Sequence, residues 1–371
     1  MNTIAFAGGG TGGHIFPGLA VIDELRRKRD CSLFWIGSSR GVDRSLVESA
    51  GIEFLGIPSG KLRRYFSLQN AVDFFRIIGG FFASLAILAR RRPALLFSKG
   101  GFVSVPPCVA ARLLGIPVIT HECDFSPGLA TRINARFASD ILVSYGETRD
   151  RIPARSRDKV TVTGNPVREA FYSASAARGR AFLGFPDDGI PVIFAQGGSL
   201  GARQVNDLVS GVLDDLLPSF YVVHQTGLSQ DAPSSAAAPR AGYRPFPFIR
   251  AEMPDVLACA DLVIARAGAN SVWECATAGK PMVLVPLEKG ASRGDQVENA
   301  AYFESRGAAV VLTGERATGA NLREAVMRVF SDTATRERMA ESSARLGSVR
   351  AAAAIAELIL SRLDSPRRRA E

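Results

Sequence analysis

Short apolar runs alternate with stretches of helical spacing along this chain of 371 residues. The apolar runs are rich in β-branched and aromatic residues, which favour strands, and predicted helices of about a dozen residues separate them. Strands are predicted over Ile4–Ala7, Ser32–Ile36, Ala94–Phe97, Pro117–Thr120, Ile141–Val143 and Val160–Val162. Regular alternation of strand and helix indicates right-handed βαβ units, and therefore an α/β fold with parallel sheets.

The opening of the chain is echoed about half a chain later. Ile4–Ala7 leads into the glycine-rich turn Gly8–His14, and the apolar run Pro191–Ala195 leads into a second turn, Gln196–Arg203. A helical pattern follows each turn, the first of them reaching about Arg29. Two such openings, in a chain too long for one typical core, predict two doubly wound domains.

The junction between these domains is predicted near Gly164–Pro166, where a strand ends before an irregular, alanine-rich stretch. We therefore place an N-terminal Rossmann-like domain at 1–163 and a C-terminal one at 164–340. Towards its end, from Arg336 to Leu363, the chain is rich in alanine and arginine with helical spacing. Residues 341–371 are predicted as a C-terminal helix that packs back on the N-terminal domain and ends in a frayed basic tail.

The net charge of +9, from 45 basic and 36 acidic residues, favours a polyanionic partner. Nucleic acid, anionic lipid and a phosphorylated substrate all fit this charge, as does a soluble protein that is merely basic. The five cysteines show no Cys-x-x-Cys spacing, which argues against a zinc site or a disulfide framework and fits a reducing cytosol. We expect neither a signal peptide nor a membrane span, because no uncharged stretch approaches ~20 residues.

The first glycine-rich turn could bind an anion, because exposed N–H groups and a helix N-terminus favour negative charge. Gly8, Gly10 and Gly13 match the dinucleotide pattern G-x-G-x-x-G. The second strand, however, ends in Gly37–Arg40 with no acidic residue before Asp43, which disfavours NAD and leaves NADP only through the arginine. The turn lacks Gly-Lys-Ser/Thr, which disfavours ATP, and a tight turn without a ligand is the alternative.

The candidates for acid–base chemistry are the histidines at or near predicted strand ends, His14, His121 and His224. Carboxyl ends of strands line the binding crevice of a doubly wound sheet, where a histidine can accept a proton near neutral pH. Each histidine could instead be a buried structural residue. Two more polar clusters, Ser98–Ser104 and Thr120–Asp124, follow strands in the same way.

Small residues open a predicted helix within Ala265–Glu274, whose first turns carry Asn270 and Ser271. Exposed N–H groups there could bind a diphosphate, and Glu274, one turn further on, could bind ribose hydroxyls. Ser271 and Glu274 also have the spacing of a capping box, so an ordinary helix start is the alternative.

Taken in order, these motifs closely resemble those of the MurG family, the UDP-N-acetylglucosamine–N-acetylmuramyl-(pentapeptide) pyrophosphoryl-undecaprenol N-acetylglucosamine transferases. The resemblance covers nearly the whole chain and rests on Gly9–His14, Lys99–Phe102, His121–Glu122, Gly164–Arg168, Gly197–Arg203, Arg266–Glu274 and Asp295–Ala300. It implies a GT-B fold, with two doubly wound Rossmann-like domains whose parallel sheets face a central cleft that holds the active site.

The resemblance also implies the substrates. The C-terminal domain would bind UDP-N-acetylglucosamine (UDP-GlcNAc), with Ile249 on the uracil through its backbone and Glu274 on the ribose. The implied donor-binding residues are Thr11, Gly12, Gly13, Arg168, Ser199, Ile249, Ala269, Asn270, Ser271, Glu274, Gln296 and Asn299. The acceptor would be N-acetylmuramyl-pentapeptide (MurNAc-pentapeptide) on undecaprenyl diphosphate, held near Phe102, Asp124 and Asn206.

The implied reaction inverts the anomeric centre, so that the 4-hydroxyl of the muramyl sugar attacks opposite UDP. It requires a base for the hydroxyl proton and stabilisation of the departing diphosphate. We favour His14 over Glu122 as the base, and helix N-termini with Arg168 as the stabilising groups. No Asp-x-Asp motif lies near either glycine turn, so neither a metal nor a cofactor is expected.

Two positions depart from a common form of the family pattern. Cys123-Asp124 stands where some members carry Gln-Asn. A carboxylate only accepts hydrogen bonds, whereas an amide also donates them, which weakens the sugar contact implied for Asp124. Phe102 stands where some members carry Tyr, so catalysis here cannot depend on a phenol at that position.

A lipid-linked acceptor requires access to a membrane, and residues 73–85 are unusually aromatic through Phe74, Phe75, Phe81 and Phe82. The flanking cations are Lys61, Arg63, Arg64, Arg90, Arg91 and Arg92. An apolar face ringed by cations is typical of a helix lying on an anionic membrane, and a helix packed in the core is the alternative. We expect a peripheral protein on the cytoplasmic face of the plasma (inner) membrane, with no nucleic-acid partner.

Two rival functions remain to be compared with this role in peptidoglycan synthesis. One is another GT-B lipid glycosyltransferase, such as a glycosyldiacylglycerol synthase, which the full set of motifs disfavours. The other is a non-catalytic nucleotide-binding module on a membrane surface, which the intact polar residues of both half-sites disfavour.

Overall fold

The computed structural model describes residues 2–10, 12–40, 43–60, 68–198, 201–228, 240–288 and 294–364. The strands are β1 Thr3–Gly8, β2 Ser32–Ser38, β3 Glu53–Ile57, β4 Leu95–Gly100, β5 Val118–Glu122, β6 Asp140–Val143, β7 Val160–Val162, β8 Val192–Gln196, β9 Tyr221–Gln225, β10 Tyr243–Phe246, β11 Leu262–Ala265, β12 Met282–Leu284 and β13 Ala309–Val311. The α-helices are α1 Gly12–Lys28, α2 Asp43–Ser49, α3 Leu68–Arg91, α4 Val105–Leu113, α5 Leu129–Asn134, α6 Thr148–Arg151, α7 Ala176–Leu183, α8 Arg203–Leu216, α9 Met253–Cys259, α10 Ala269–Thr277, α11 Asp295–Ser305, α12 Gly319–Ser331, α13 Thr333–Gly347 and α14 Ala351–Asp364. Short 3₁₀ turns lie at Phe102–Ser104, Ala154–Lys159, Glu169–Phe171 and Gly314–Arg316.

The chain divides into two compact units, Met1–Arg168 with Arg350–Glu371, and Glu169–Val349. In the described residues, the first unit has a parallel sheet with the strand order β3-β2-β1-β4-β5-β6-β7. The second has a parallel sheet with the order β10-β9-β8-β11-β12-β13. This confirms the predicted α/β class with two Rossmann-like domains, while the central cleft stays a prediction. The division falls a few residues after the predicted junction at Gly164.

The strands predicted in the first unit are all present, and β3 is the strand that the pattern missed. β3 lies at the edge of its sheet, and three of its residues, Glu53, Leu55 and Gly56, are exposed or only partly buried. A half-exposed edge strand lacks the continuous apolar run by which a central parallel strand is recognised.

The core of the first unit lies on both faces of its sheet. On one face, Phe6, Trp35 and Phe97 pack with residues of α1 and with Ile355 and Ile359 of α14. On the other face, residues of α3, α4 and α5 cover alternate positions of the same strands. The C-terminal helix therefore belongs to the core of the first unit.

The C-terminal stretch of helical spacing is broken in the structure into α13 and α14. α13 belongs to the second unit and ends at Gly347, and α14 begins at Ala351. A methyl group at Gly347 would overlap the backbone of Ala276 and Thr277, so only glycine allows this approach of α13 to α10. The break follows a packing contact, which alanine-rich helical spacing does not reveal.

In both sheets the strand order reverses at one point, between β1 and β4 in the first unit and between β8 and β11 in the second. Ligands of open α/β sheets bind outside the carboxyl ends of strands at such a switch point. The first glycine-rich turn follows β1, and the second follows β8. The topology of each unit therefore places its glycine turn where a ligand is expected.

Helix α3 has one face in the core and an aromatic face exposed. Ser84 and Leu88 are fully buried, whereas Phe75 is 71% and Phe82 61% exposed. Phe74 is also exposed, and Phe81 is half-buried against the core. Three of the four phenylalanines assigned to the membrane patch thus lie on the surface. The flanking Lys61, Arg63 and Arg64 lie outside the described residues.

Part of α3, Val72–Arg91, is long and apolar enough to cross a membrane by length and composition, within the part of the chain that is described. This differs from the expectation that no stretch approaches a span, because Asp73 and Arg76 are few enough charges for the segment to qualify. One such helix is weak evidence for a span. Here its buried face packs against β3 and α4 of the same unit.

Candidate active site

The first glycine-rich turn is held from the neighbouring strand and helix. The indole Nε1 of Trp35 donates a hydrogen bond to the Gly8 carbonyl, at 2.9 Å. The Gly10 N–H donates to Oδ2 of Asp43, also at 2.9 Å. Asp43 is 1% exposed, and burial raises its pKa against the opposing effect of backbone N–H groups from Gly10 and Ser38. In the sequence, Asp43 lies too far after the second strand to bind ribose, and its contact with the turn could not be predicted from that position.

A second turn, after β4, packs directly on the first. A methyl group at Gly10 would lie 2.6 Å from Cε1 of Phe102, and one at Gly101 would lie 2.9 Å from Cδ2 of His14. Gly101 has φ of 76°, a conformation that also favours glycine. The structure therefore brings His14, Phe102 and the first turn together, as their positions at the ends of β1 and β4 predicted.

Two buried polar groups lie at the ends of β4 and β5, Lys99 and His121. Among the described residues, Nζ of Lys99, which is 1% exposed, has no hydrogen-bond partner. Nε2 of His121 lies 3.0 Å from the Gly164 carbonyl, so this nitrogen is the donor. Burial lowers the pKa of His121 well below its usual value, and Lys99 lowers it further against the Gly164 hydrogen bond. His121 is therefore neutral, and it ties Gly164–Arg168 to the sheet.

Glu122 is committed to the loop that follows β5. Its Oε1 accepts the Asp124 N–H at 3.0 Å, and its Oε2 accepts the Gly128 N–H at 2.9 Å. Glu122, Cys123 and Asp124 together present metal-ligating atoms within 4.8 Å of one another. Because both Glu122 oxygens already accept backbone hydrogen bonds, this geometry favours loop positioning over either metal binding or proton abstraction.

The same loop is braced by aromatic and cationic contacts. The ring of Phe125 meets Tyr145 edge-on at 5.4 Å, and the Arg151 guanidinium lies 4.6 Å from its centroid. Thr148 donates a hydrogen bond to the Phe125 carbonyl at 2.9 Å. The partly buried Asp124 is therefore presented from a loop that is fixed on several sides.

The remaining predicted residues of the first unit lie at its α1 end. The guanidinium of Arg168 lies over the ring of Phe16, 5.5 Å from its centroid. Gly12 begins α1 against the same ring, and Gly13 is exposed. Thr11 lies outside the described residues.

In the second unit, the glycine turn after β8 is tightly packed at Gly197 and at Gly201. A methyl group at Gly197 would overlap Ala202, and one at Gly201 would overlap the carbonyl of Thr226 at the end of β9. The Gly201 N–H donates to the Gly198 carbonyl at 3.1 Å. The turn is therefore packed against its own helix and against β9. Ser199 lies outside the described residues.

Asn206, predicted to contact the acceptor, is buried behind this turn. Its Nδ2 donates to the Thr226 carbonyl at 2.9 Å, and its Oδ1 lies 3.0 Å from Nε2 of His224. Nδ1 of His224 in turn lies 3.1 Å from the Tyr243 hydroxyl. Asn206 is 2% exposed, and its amide group contacts both Thr226 and His224. These hydrogen bonds support the turn, and the predicted contact of Asn206 with the acceptor stays a prediction.

The start of α10 lies at the end of β11, the neighbour of β8. Its N-cap is Gly268, which provides no side-chain cap for the first N–H groups. The capping-box alternative is therefore wrong, since Ser271 lies inside the helix. Asn270, Ser271 and Glu274 are all partly exposed, and Ala269 is buried. The helix start combines backbone donors with polar side chains, as a diphosphate and ribose site requires.

Three further predicted donor residues lie at the same edge of the sheet. The Ile249 N–H donates to Oε1 of Gln225 at 2.8 Å. Uracil could therefore bond to the Ile249 carbonyl, and it could bond to the Ile249 N–H only after Gln225 has moved away. Oε1 of Gln296 accepts the Leu287 N–H at 3.0 Å, which leaves its amide nitrogen for a sugar.

Asn299 is fully buried, and its Nδ2 donates to the Ala267 carbonyl at 3.1 Å. This hydrogen bond supports the loop before α10, and the predicted contact of Asn299 with the sugar stays a prediction. Gln225 and Asp43 are residues that sequence reasoning missed, and each is identified by its hydrogen bond to a backbone turn.

Both units match known protein domains. Residues 4–143 match the glycosyltransferase family 28 N-terminal domain, and residues 192–358 match the glycosyltransferase family 28 C-terminal domain. The chain is also similar in fold to a crystal structure of Acinetobacter baumannii MurG, with 27% identity and a TM-score of 0.74 over 97% of this chain and all of that one. A glycosyltransferase of kitacinnamycin, 19% identical over 97% of this chain and 98% of its own, shares the fold with a TM-score of 0.75.

Curated relatives are more similar in sequence. A Treponema denticola protein named UDP-N-acetylglucosamine–N-acetylmuramyl-(pentapeptide) pyrophosphoryl-undecaprenol N-acetylglucosamine transferase is 55% identical over 85% of both chains. A Treponema pallidum protein of the same name is 51% identical over 95% of this chain and 94% of its own. The chain therefore belongs to the MurG family of N-acetylglucosamine transferases, within glycosyltransferase family 28.

Proposed function

We propose that this protein transfers N-acetylglucosamine from UDP-GlcNAc to the 4-hydroxyl of MurNAc-pentapeptide carried on undecaprenyl diphosphate, a step of peptidoglycan synthesis. Relatives that are 51–55% identical carry the name of this activity. The observation that carries the proposal is the start of α10. It offers N–H groups without a side-chain cap beside Asn270, Ser271 and Glu274, at the switch point of the second sheet.

The second unit binds the donor in this proposal. The diphosphate lies at the start of α10, where the helix dipole and exposed N–H groups stabilise negative charge. Glu274, one turn further, accepts hydrogen bonds from the ribose hydroxyls, and the Gln296 amide donates to the sugar. Gln225 and Asn299 fix the backbone at Ile249 and Ala267.

The first unit supplies the base. His14 lies against the turn at Gly101, at the switch point of the first sheet. Glu122, the other candidate, accepts two backbone hydrogen bonds. His14 therefore takes the proton of the muramyl 4-hydroxyl as its oxygen attacks the anomeric carbon. The bond from that carbon to the UDP oxygen breaks, and UDP leaves with the electron pair.

A buried cation at the end of β4 supports an anionic substrate at this unit. Lys99 is almost completely buried and its Nζ has no hydrogen-bond partner among the described residues. A charge in that position is costly unless it gains a partner. The acceptor carries a diphosphate, which is the type of group that would compensate it.

The protein reaches its lipid substrate by lying on the membrane through α3. Its exposed Phe74, Phe75 and Phe82 form an aromatic face, and Arg90 and Arg91 end the helix. Such a face inserts into the headgroup region of an anionic membrane. Because the other face belongs to the core, α3 lies along the surface and does not span it. In this proposal the protein works on the cytoplasmic face of the plasma membrane, and its positive charge is directed to lipid and substrate phosphates and not to nucleic acid.

The test is transfer of radiolabelled N-acetylglucosamine from UDP-GlcNAc to a lipid fraction by the purified full chain. We expect label in the product, with stoichiometric release of UDP, only when MurNAc-pentapeptide on a polyprenyl diphosphate is present. Diacylglycerol is the matched alternative acceptor. Transfer to diacylglycerol, or no transfer to either lipid, would refute the proposal.

A further inference from the structure

The carboxyl group of Asp43, an acidic side chain of the same chain, lies in the first glycine-rich turn. Oδ2 of Asp43 accepts the Gly10 N–H at 2.9 Å, and the backbone N–H of Ser38 also lowers the pKa of this carboxyl against the effect of burial. Gly9 has no room for a side chain, because a methyl group there would overlap the same oxygen. The carboxylate is 1% exposed. Turn, strand end and carboxylate therefore form one closed unit.

This arrangement is that of an anion-binding turn in which a protein group replaces the ligand. Backbone N–H groups that converge next to a glycine-rich turn bind phosphates in many nucleotide-binding proteins. Here the converging donors come from the ends of β1 and β2, and Asp43 at the start of α2 fills the position. Within the described residues of the turn, the position beside Gly9 and Gly10 is therefore occupied by Asp43, although the G-x-G-x-x-G pattern is present.

We propose that Asp43 is a positioning residue whose carboxylate substitutes for a bound phosphate in the first glycine-rich turn. Because its carboxylate occupies the binding position beside Gly9 and Gly10, Asp43 prevents free phosphate from binding there. It also fixes the backbone that leads into His14. The first part of this inference stands on the geometry alone. The second part, the effect on His14, rests on the proposed function.

Chemical rescue tests the inference, because a small carboxylate can occupy the space that Asp43→Ala leaves. We expect this variant to lose kcat by about 100-fold while its KM for UDP-GlcNAc stays within about twofold, as for a displaced catalytic group. Sodium formate should restore several-fold of the lost kcat, and sodium chloride at equal ionic strength should not. Asp30→Ala, which removes an exposed carboxylate near the end of α1, is the control and should behave as the wild type.

A readout without catalysis separates this inference from the proposed function. Formate should raise the melting temperature of Asp43→Ala and leave that of the wild type unchanged, since ligands stabilise only the state that binds them. Inorganic phosphate should act in the same way on the variant. Asp43→Asn, which keeps the shape but not the charge, should retain more kcat than Asp43→Ala and gain nothing from formate.

Three results would overturn the inference. The first is a wild-type kcat in Asp43→Ala, and the second is an equal loss in both variants without rescue. The third is an equal rise in melting temperature for wild type and Asp43→Ala in formate. If the wild type itself fails to transfer sugar, the proposed function is wrong. The melting temperatures in formate still show whether Asp43 occupies an anion-binding position.

Discussion

The two glycine-rich turns begin alike in sequence and differ in what surrounds them. The turn after β1 gives its Gly10 N–H to Asp43 and receives the Trp35 indole on its Gly8 carbonyl. The turn after β8 is packed against Ala202 and Thr226, and the donors beside it belong to α10, whose N-cap offers no side chain. The described part of the first turn bonds to side chains of its own unit, and the second turn lies beside a helix start whose N-cap provides no side-chain cap. A glycine pattern therefore specifies a close backbone approach, and the neighbouring side chains decide whether a ligand enters.

The difference between the two turns corresponds to different proposed roles for the two units. In the proposed function the second unit holds the donor through the start of α10. The first unit holds His14 in place through a turn that Asp43 has already filled. Substitutions near the first turn should therefore change kcat, and substitutions near the second turn should change the affinity for the donor.

The largest effect is expected at the first turn. His14→Ala should lower kcat by about 10²–10⁴-fold, because it removes the proton acceptor from the transition state. The dissociation constant for UDP-GlcNAc, measured by calorimetry, should stay unchanged, since the donor lies on the second unit. A wild-type kcat in this variant would remove His14 from the role of base.

The opposite signature is expected beside the second turn. Glu274→Ala should weaken UDP binding about ten- to hundredfold, because a charged group loses its hydrogen bonds to the ribose. Titration calorimetry with UDP measures this. Glu341→Ala removes an exposed carboxylate of α13 and serves as the control. Unchanged UDP affinity in Glu274→Ala would contradict the donor site at α10.

Lys99, the buried lysine of the first unit, tests whether that unit binds the acceptor and not the donor. Lys99→Met should raise the KM for the lipid acceptor about tenfold and leave the KM for UDP-GlcNAc unchanged. The variant should also be more stable in urea by about 1–3 kcal/mol, because it removes an uncompensated buried charge. Lower stability together with an unchanged acceptor KM would show that Lys99 is structural.

The proposed membrane-binding surface is the exposed aromatic face of α3, in the first unit. Phe75→Ser combined with Phe82→Ser should weaken binding to anionic vesicles about tenfold or more, because two exposed aromatic side chains lose their apolar contact with lipid. Leu228→Ser, at an exposed leucine of the second unit, is the control for a lost apolar side chain. Equal vesicle binding by the double variant and the wild type in flotation would count against the α3 surface.

The smallest effect concerns the support of the second turn. Burial lowers the pKa of His224 from 6.5 to about 4, so the unfolded chain binds more protons than the folded one between these values. The free energy of unfolding should therefore fall as the pH is lowered through this window, by at most about 3 kcal/mol from this residue. Urea titrations between pH 4 and 7 measure it. His224→Gln should show a flatter pH dependence, and an identical slope would exclude His224 as its source.

The parts of this molecule that sequence predicts well are those governed by short-range patterns. β1 and β8 are mainly apolar runs, of which β1 ends in Gly8 and β8 is followed directly by Gly197, so their strands, turns and parallel sheets could be predicted from the sequence. His14 and Phe102 were brought together correctly because parallel strands end at the same edge of a sheet.

The parts that sequence missed depend on partners far along the chain. The contact between Asp43 and Gly10 joins residues 33 positions apart, and no local spacing reveals it. The family resemblance implies an acceptor contact for Asn206, and it does not reveal the contacts of the Asn206 amide with His224 and Thr226. Phe81 and Phe82 are neighbours in sequence, but only the packing of α3 decides which of them faces the solvent.

The linkage formed in the product tests the central claim most directly. After incubation with UDP-GlcNAc and the muramyl lipid, NMR of the isolated disaccharide reports its anomeric configuration and the hydroxyl that carries it. Because the 4-hydroxyl attacks the donor opposite UDP, the account predicts a single β-linked N-acetylglucosamine on the 4-position of the muramyl sugar. An α-linkage, attachment at another hydroxyl, or free N-acetylglucosamine as the only product would contradict it.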